Sequence, residues 1–530
     1  MRYSHFRMHD DHRNATPITA SCIPFKQPFS SHEYVERNFD DTDAIRRLFS
    51  LARSEGALTL MVEAICPKGM ILDENEEIQL YYRGYRMPEL QRISFWKTSF
   101  IDDNGACEDD DCLGYAILKR DVVTSKNKYD CWHVFEAVFR KYPHEHNCVP
   151  RVATYAVRLG SKTIHIEGLL YAQQNGLNKT CAQVALRSLI SRINGGDVSY
   201  REINAIAAQN SHLFRPDGGL NQPQIEAVLS GFGIRFRKID YTKGCRISRK
   251  RVRRAFPYQK FIYSGIESGC GALLGFRLSG PGHRNEGHVI PFYGHTFNKD
   301  TWAPHADQSY FLVDKNLRYI PSSLWTSSFL GHDDNFGPNF CVPRLYVPPE
   351  QVDFVVELLY DGIADSGTIA EVNSLPFLHS VLRSAVLAEP DLKHNTWLRR
   401  LYVSAVQYNQ VVLRAIAIDK NSFIRHVSTE RDWNGNPESQ TAISVLNNEL
   451  PEKLWVVEVS VPQLFPANQR RLGEIVLNGS VGSNPYTTDN SSFLYARVPG
   501  LYLFQSSENE ARNFITVPSN ITSHIPVLRL

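Results

Sequence analysis

The sequence predicts an α+β chain built in three regions, and three observations carry that reading. Helical spacings between 181 and 233 come as a block and are followed by a block of strand-like runs, which is the α+β order and not the alternation of a parallel sheet. A proline-marked break, "VPPEQV" around 348–352, ends this region. Beyond residue 388 the apolar segments are short and strand-like. The expected divisions are an N-terminal α+β domain over 1–150, a central domain over 151–350 with helices packed on an antiparallel sheet, and a helix followed by a β-rich domain over 351–530. With 530 residues, 42% hydrophobic and 22% charged, the chain has material for several buried cores.

Taken in order, residues 1–40 are polar and unpatterned and read as a tail. "DDTDAIRRLFSLARSEG" (40–56) predicts a helix, with Asp43 as cap, Ile45, Leu48 and Leu51 on one face and Gly56 as its end. "ALTLMVEAIC" and "IQLYYRGYR" are expected to be strands, and "CLGYAILKRDVV" and "WHVFEAVFRKY" continue the mixed region. "YAVRLGSKTIHIEGLLY" (155–171) predicts a hairpin turning at Gly160-Ser161. Three helices follow: "CAQVALRSLISRI", with Val184, Leu186, Leu189, Ile190 and Ile193 mainly on one side; "SYREINAIAAQ", with a Ser199–Glu202 capping box; and "NQPQIEAVLSGFG". "IRFRKIDY", "KFIYSGI", "GALLGFRLSG" and "GHVIPFYGH" are the expected strands of the sheet. Residues 365–388 are expected to be helical, and "NQVVLRAIAI", "KLWVVEVSV" and "FLYARV" predict strands of the third region.

The opening "MRYSHFRMHDDHRN" lacks the apolar stretch of a secretory signal, and no run approaches 18 apolar residues. The ten cysteines are scattered, which suits a reducing compartment and makes cytoplasmic placement the expectation. A net charge of +2 leaves no global field that would mark a nucleic-acid protein. No Walker loop, Rossmann fingerprint or internal repeat is present, and no cofactor is expected.

The chemistry centres on "GLLYAQQNGLNKTCAQVALRSLI" (168–190). Thr180-Cys-Ala-Gln183 matches the T-x-x-Q capping box, so Thr180 is the expected N-cap and Cys181 the first helical residue. There the sulfur meets unpaired backbone N–H groups and the positive end of the helix dipole, which favour thiolate. The turn before it is polar and is expected to be flexible. A nucleophilic cysteine needs a base, and His288 stands at the start of the apolar strand "GHVIPFYGH".

The order Gln–turn–Cys–helix, further helices, then a strand-borne His resembles the papain-like cysteine peptidases, closest to the bacteriocin-processing branch. The resemblance covers residues 165–345, and it says nothing of either flank. It implies helices packed on an antiparallel sheet, Cys181 as nucleophile and His288 as base. In the family a Gln about six residues before the nucleophile donates to the oxyanion. Gln174 precedes Cys181 by seven residues and Gln173 by eight, and Gln174 is the assignment the resemblance favours. The third triad member implied is an Asp or Asn on the strand after the His strand. "HDDNFG" (332–337) resembles the branch's D-P-x-x-G turn without its Pro, and points to Asp333, 45 residues after His288. Asp314 in "YFLVDKN" and Asp300 in "DTW" are the alternatives.

The implied activity is a cysteine hydrolase that cleaves peptide or isopeptide bonds through a Cys-His-Asp triad and an acyl-enzyme, with a protein or peptide as partner. An acyltransferase or deamidase uses the same parts. A non-catalytic scaffold whose flanking domains recognise partners is the rival class. The run "RISRKRVRR" (246–254), with Arg246, Arg249, Lys250, Arg251, Arg253 and Arg254, is a candidate site for an acidic partner and is expected to be exposed. "CEDDDC" (107–112), and "HEHNC" (144–148) together with Cys131 and His133, hold metal-ligand chemistry without finger spacing, and surface loops are the expectation. "GHTFNKDTWAP" (294–304) is placed either as a cleft wall or as a packed loop.

Overall fold

The computed structural model describes the chain outside residues 1–9, 41, 100–107, 126–127, 141–146, 210–213, 243–245, 248–249, 252–256, 281–282, 299–306, 309–316, 389–393, 483–491, 506–513 and 530. It is a mixed α+β chain with several antiparallel sheets.

The first region begins with strand β1 (Pro17–Pro24) and helices α1 (Ser31–Phe39) and α2 (Asp43–Ser54). The tail expected over 1–40 is therefore structured from its first described residues, with His12 and Arg13 buried ahead of β1. β1 lies on a sheet edge with mostly exposed residues, so it carries no apolar alternation to read. Thr42, not Asp43, caps α2: its side chain accepts from Ile45 N at 3.3 Å. Strand β2 (Thr59–Ile65) is followed by helix α3 (Met70–Tyr81), where a strand was expected. Its buried residues are Met70, Ile71, Glu74, Asn75, Glu77 and Ile78. That is a helical face, but half of it is polar, so a hydrophobic pattern does not reveal it.

Strands β3 (Glu89–Trp96), β4 (Cys112–Val123), β5 (Tyr129–Arg140), the short β6 (Asn147–Cys148), β7 (Ala153–Leu159) and β8 (Lys162–Tyr171) follow. All but β6 form one antiparallel sheet in the order β1-β2-β3-β4-β5-β8-β7. Ala116 and Leu118 of β4 face a core with α1 and α2; Tyr115 and Ile117 face the opposite core with α3. The hairpin β7–β8 pairs Leu159 with Lys162 across Gly160-Ser161, as its sequence predicts, and extends this sheet to Tyr171.

The second region opens with helices α4 (Cys181–Asn194), α5 (Tyr200–Gln209) and α6 (Gln222–Gly231), then strand β9 (Phe236–Asp240). Part of the basic run forms a small hairpin, β10 (Arg246–Ile247) with β11 (Lys250–Arg251); Arg249, Arg253 and Arg254 lie outside the described residues. "KFIYSGI", expected as a strand, lies in helix α7 (Tyr258–Glu267). Every residue of α7 is buried, so no polar face marks its period. Then come β12 (Ala272–Gly280), the long β13 (His283–Phe297), β14 (Asp307–Gln308), β15 (Arg318–Pro321), β16 (Thr326–Asp333), β17 (Gly337–Pro343) and β18 (Val352–Leu358). The antiparallel sheet runs β17-β16-β13-β12-β18-β9, with β6 also paired to β13. α4 to α6 share a core with this sheet through Leu186, Leu189, Ile203, Val228, Leu273 and Phe354.

The third region holds α8 (Gly367–Ala388), α9 (Thr396–Tyr402), β19 (Val412–Asp419), α10 (Lys420–Thr429), α11 (Gln440–Glu449), β20 (Lys453–Ser460), the short β21 (Arg470–Arg471), β22 (Gly473–Asn478), β23 (Phe493–Val498), β24 (Leu501–Gln505) and β25 (Phe514–Pro518). Its sheet runs β14-β15-β19-β20-β22-β23-β24-β25, and only the β15–β19 pair is parallel among the described residues. One core joins α7, β12 and β13 to α8, β19 and β20. No helix of the described residues is long and apolar enough to cross a membrane.

Candidate active site

Cys181 is the first residue of α4, and Thr180, in extended conformation, is its N-cap. The Gln183 side-chain oxygen accepts from Thr180 N at 3.2 Å and from Thr180 Oγ1 at 2.6 Å, while its amide donates to Pro216 O at 3.2 Å. Gln183 thus fixes where the helix starts and therefore where the sulfur sits.

The turn before Cys181 is not the loose segment its polarity suggests. Asn175 Oδ1 accepts from the backbone N–H groups of Leu177, Asn178 and Lys179 at 2.9, 3.2 and 3.3 Å. Asn178 and Lys179 are buried and reach α3 of the first region. Asn178 donates to Glu77 Oε2 at 2.7 Å, and Lys179 Nζ lies 2.8 Å from Glu74. Burial lowers the Lys179 ammonium to about 8, against the attraction of Glu74.

His288 lies on β13, opposite Phe276 of β12, whose ring meets the imidazole edge-on at 5.5 Å. Its Nε2 is 3.3 Å from Asp333 Oδ2 and 3.6 Å from Asp334 Oδ1. The Cys181 side chain is the third group that acts on this ring. Burial alone would lower the imidazole, but Asp333, Cys181 and Asp334 raise it to about 11. That upward direction is the one a thiolate–imidazolium pair requires.

Asp333 ends β16, the neighbour of β13, and begins the turn to β17. Its Oδ1 accepts from Asn335 N at 2.9 Å and Phe336 N at 3.1 Å, which leaves Oδ2 to the histidine. Burial would raise this carboxyl; the His288 bond and charge and the two N–H groups hold it below the ordinary range. The turn closes at Gly337, whose φ of 114° suits glycine and whose absent Cβ leaves room for Arg47 of α2. Arg47 donates to Asn339 O at 3.0 Å.

Of the two glutamines, Gln173 is committed to the first sheet. Its N donates to Val134 O at 2.8 Å, and its side-chain oxygen accepts from Val134 N at 3.1 Å. Gln174 is half-buried, and its amide donates to Asn335 Oδ1 at 2.7 Å, two residues from Asp333. The structure therefore joins His288 to Asp333 directly and ties Gln174 to the same turn through Asn335. Asp314 and Asp300 lie outside the described residues.

Asp334 was not singled out from the sequence. It is 4% exposed and neither carboxylate oxygen accepts a hydrogen bond. Burial, aided by Asp333 and opposed by His288, raises it to about 7. Two adjacent acids in "HDDN" are the only trace of this pair in the sequence, and they read equally well as a turn.

The metal-ligand runs separate. Cys131 Sγ contacts its neighbour's carbonyl, Trp132 O, at 3.2 Å, and buried His133 lies 3.6 Å from Asp121, its imidazole lowered to about 3 chiefly by burial. Neither joins Cys148, which groups with His295 and Glu267. Asp109–Asp111 form a single 3-10 turn in which Asp109 accepts from His165 N at 3.2 Å; Cys107 and 144–146 lie outside the described residues. The opening of "GHTFNKDTWAP" continues β13 to Phe297, and 299–306 lie outside the described residues. His12, Glu136 and Asp197 also cluster, but Arg13 and Arg187 fill that cluster with guanidinium groups at 2.6 to 2.8 Å. His288, Asp333 and Asp334 remain as a potential divalent-ion group at the site itself.

Compared with known proteins, the chain matches no family model, no curated protein and no solved structure, so the geometry of the site stands without a relative beside it.

Proposed function

We propose that the chain is a cysteine hydrolase of peptide or isopeptide bonds, with a papain-like arrangement in its second region. One observation carries the reading: a single buried imidazole, His288, is paired with a carboxylate and raised by the thiol at a helix N-terminus. The helix-on-antiparallel-sheet layering, with His288 and Asp333 on neighbouring strands, supports the same reading.

In this mechanism the Cys181 thiolate attacks the substrate carbonyl carbon, and the His288 imidazolium gives its proton to the leaving amine as the C–N bond breaks. The resulting neutral imidazole takes a proton from water, whose oxygen attacks the thioester; the acid leaves and the ion pair is restored. Asp333 holds the ring in the required orientation. The Cys181 backbone N–H and the Gln174 amide are the donors assigned to the oxyanion.

The test is an acyl-enzyme trap. The full chain is incubated with activated peptide esters and its intact mass is followed. A stable adduct on Cys181, absent in Cys181→Ser and in folded His288→Ala, is the expected result. Equal acylation of Cys181 in folded His288→Ala would sink the reading.

A further inference from the structure

A second thiol–imidazole–carboxylate set lies on the same long strand. Cys148 of β6 stands directly opposite His295 of β13 in an antiparallel pair, so their side chains share a face. His295 Nε2 is 2.7 Å from Glu267 Oε1 of α7. Its other nitrogen, Nδ1, has no hydrogen-bond partner among the described residues, and the ring is fully buried. The Cys148 sulfur, a ring nitrogen of His295 and a carboxylate oxygen of Glu267 lie within 4.8 Å of one another. Cys148 itself is only half-buried.

The set is locked from every side. Tyr263 of α7 packs its ring on His295 at 4.9 Å. Glu267 is also bound by Arg414 of β19, which pairs in turn with Glu458 of β20 at 2.8 Å. These ion pairs hold Glu267 ionised, and Glu267 in turn holds the imidazole. Burial would lower His295; Cys148 and Glu267 raise it to about 10.

From this geometry we infer that Cys148 is a second nucleophilic thiol, built for reversible covalent modification by a peroxide or a disulfide. With hydrogen peroxide as oxidant, the thiolate sulfur attacks one peroxide oxygen and the O–O bond breaks. The sulfur is oxidised by two electrons to a sulfenic acid. The departing hydroxide, the reduced product, takes the His295 proton and leaves as water. With a disulfide the sulfur forms a mixed disulfide and expels a thiolate, which takes the same proton. This site is separate from Cys181: seven residues of strand, about 23 Å at 3.3 Å per residue, divide His288 from His295.

The experiment uses the full chain carrying Cys181→Ser, so that the proposed catalytic thiol contributes nothing. Alkylation by iodoacetamide is followed peptide by peptide by mass spectrometry from pH 5 to 10, with the exposed Cys22 and Cys66 as internal references. An ordinary thiol with a pKa near 8.5 is about 0.3% thiolate at pH 6. Cys148 is expected to react at least about tenfold faster than Cys22 and Cys66 at pH 6, although it is less exposed. Peroxide is expected to block Cys148 first, and dithiothreitol to restore it. Folded His295→Gln should bring its rate down to that of the references. A Cys148 profile that follows Cys22, or lies below it throughout, overturns the inference, and the wild-type His295 profile decides this alone if the variant does not fold. Zinc protection of Cys148 from alkylation at micromolar metal, with no advantage over Cys22 in its absence, also overturns it.

Discussion

Glu74 of α3 holds Lys179, two residues before Cys181, at 2.8 Å, with both side chains buried. The same carboxylate lies 2.6 Å from Lys119 of β4. The first region thus fixes the segment leading into Cys181, while Arg47 of its α2 grips the turn that carries Asp333.

Replacing Glu74 by Gln should leave two buried ammonium groups without their shared counter-charge. A loss of about 3–5 kcal/mol is expected, the usual cost of breaking a buried pair on one side. Chemical denaturation of Glu74→Gln measures it. A change below about 1 kcal/mol would mean that water reaches this cluster.

Asp333→Asn should lower acylation of Cys181 by roughly 10²-fold or more, because the amide cannot hold the same tautomer against the ring. Asp334→Asn should lower it by much less. The comparison is made on folded variants whose Cys181 still reacts with iodoacetamide. The reverse ranking would make Asp334 the orienting carboxylate.

Asp334 should also leave a mark on stability. Its folded value, about 7, lies above the ordinary carboxyl range near 3.9, so ionising it in the folded state opposes folding. The penalty is absent below about pH 4, grows as pH rises toward 7, and is constant above. Asp334→Asn should therefore raise the melting temperature at pH 8 relative to wild type, and the gain should vanish at pH 4. A gain equal at both pH values contradicts the assignment.

Gln174→Ala removes the amide assigned to the oxyanion and should lower the acylation rate by roughly 10²–10³-fold, with iodoacetamide labelling of Cys181 unchanged. Gln173→Ala removes an acceptor from the first sheet instead. It should cost stability of about 1 kcal/mol while leaving the rate constant near wild type. Rates and denaturation midpoints on both variants separate the two roles.

The site was legible where its signals were local. The T-x-x-Q box placed Cys181 at a helix start because capping is settled within four residues. "GHVIPFYGH" announced a strand, and the structure pairs it with β16, with Phe292 opposite Gly331. What stayed hidden depends on partners far along the chain. α3 looked unlike a helix because Glu74 and Glu77 occupy core positions, and those acids make sense only beside Lys179 and Asn178, about a hundred residues later. α7 was hidden for the opposite reason, since burial on every side erased its period. The stiffness of the turn before Cys181 was hidden likewise: Asn175 serves three backbone donors, and Asn178 and Lys179 reach acids of α3 about a hundred residues earlier.

The detour between the histidine and aspartate strands has a consequence for how this chain can be divided. After β13 the backbone leaves the second sheet and lays β15 alongside β19, where Ile320 sits opposite Val412, before returning as β16. β6, between β5 and β7 of the first sheet, crosses to the second sheet in the same way. The regions are therefore woven together rather than strung in series. Excising the middle third as a self-standing fragment would strip β15 of its neighbour and leave a bare strand edge open to pairing with other copies. Expression trials should begin with the uncut polypeptide, and a recombination or fusion joint near residue 350 would sever the weave rather than a linker.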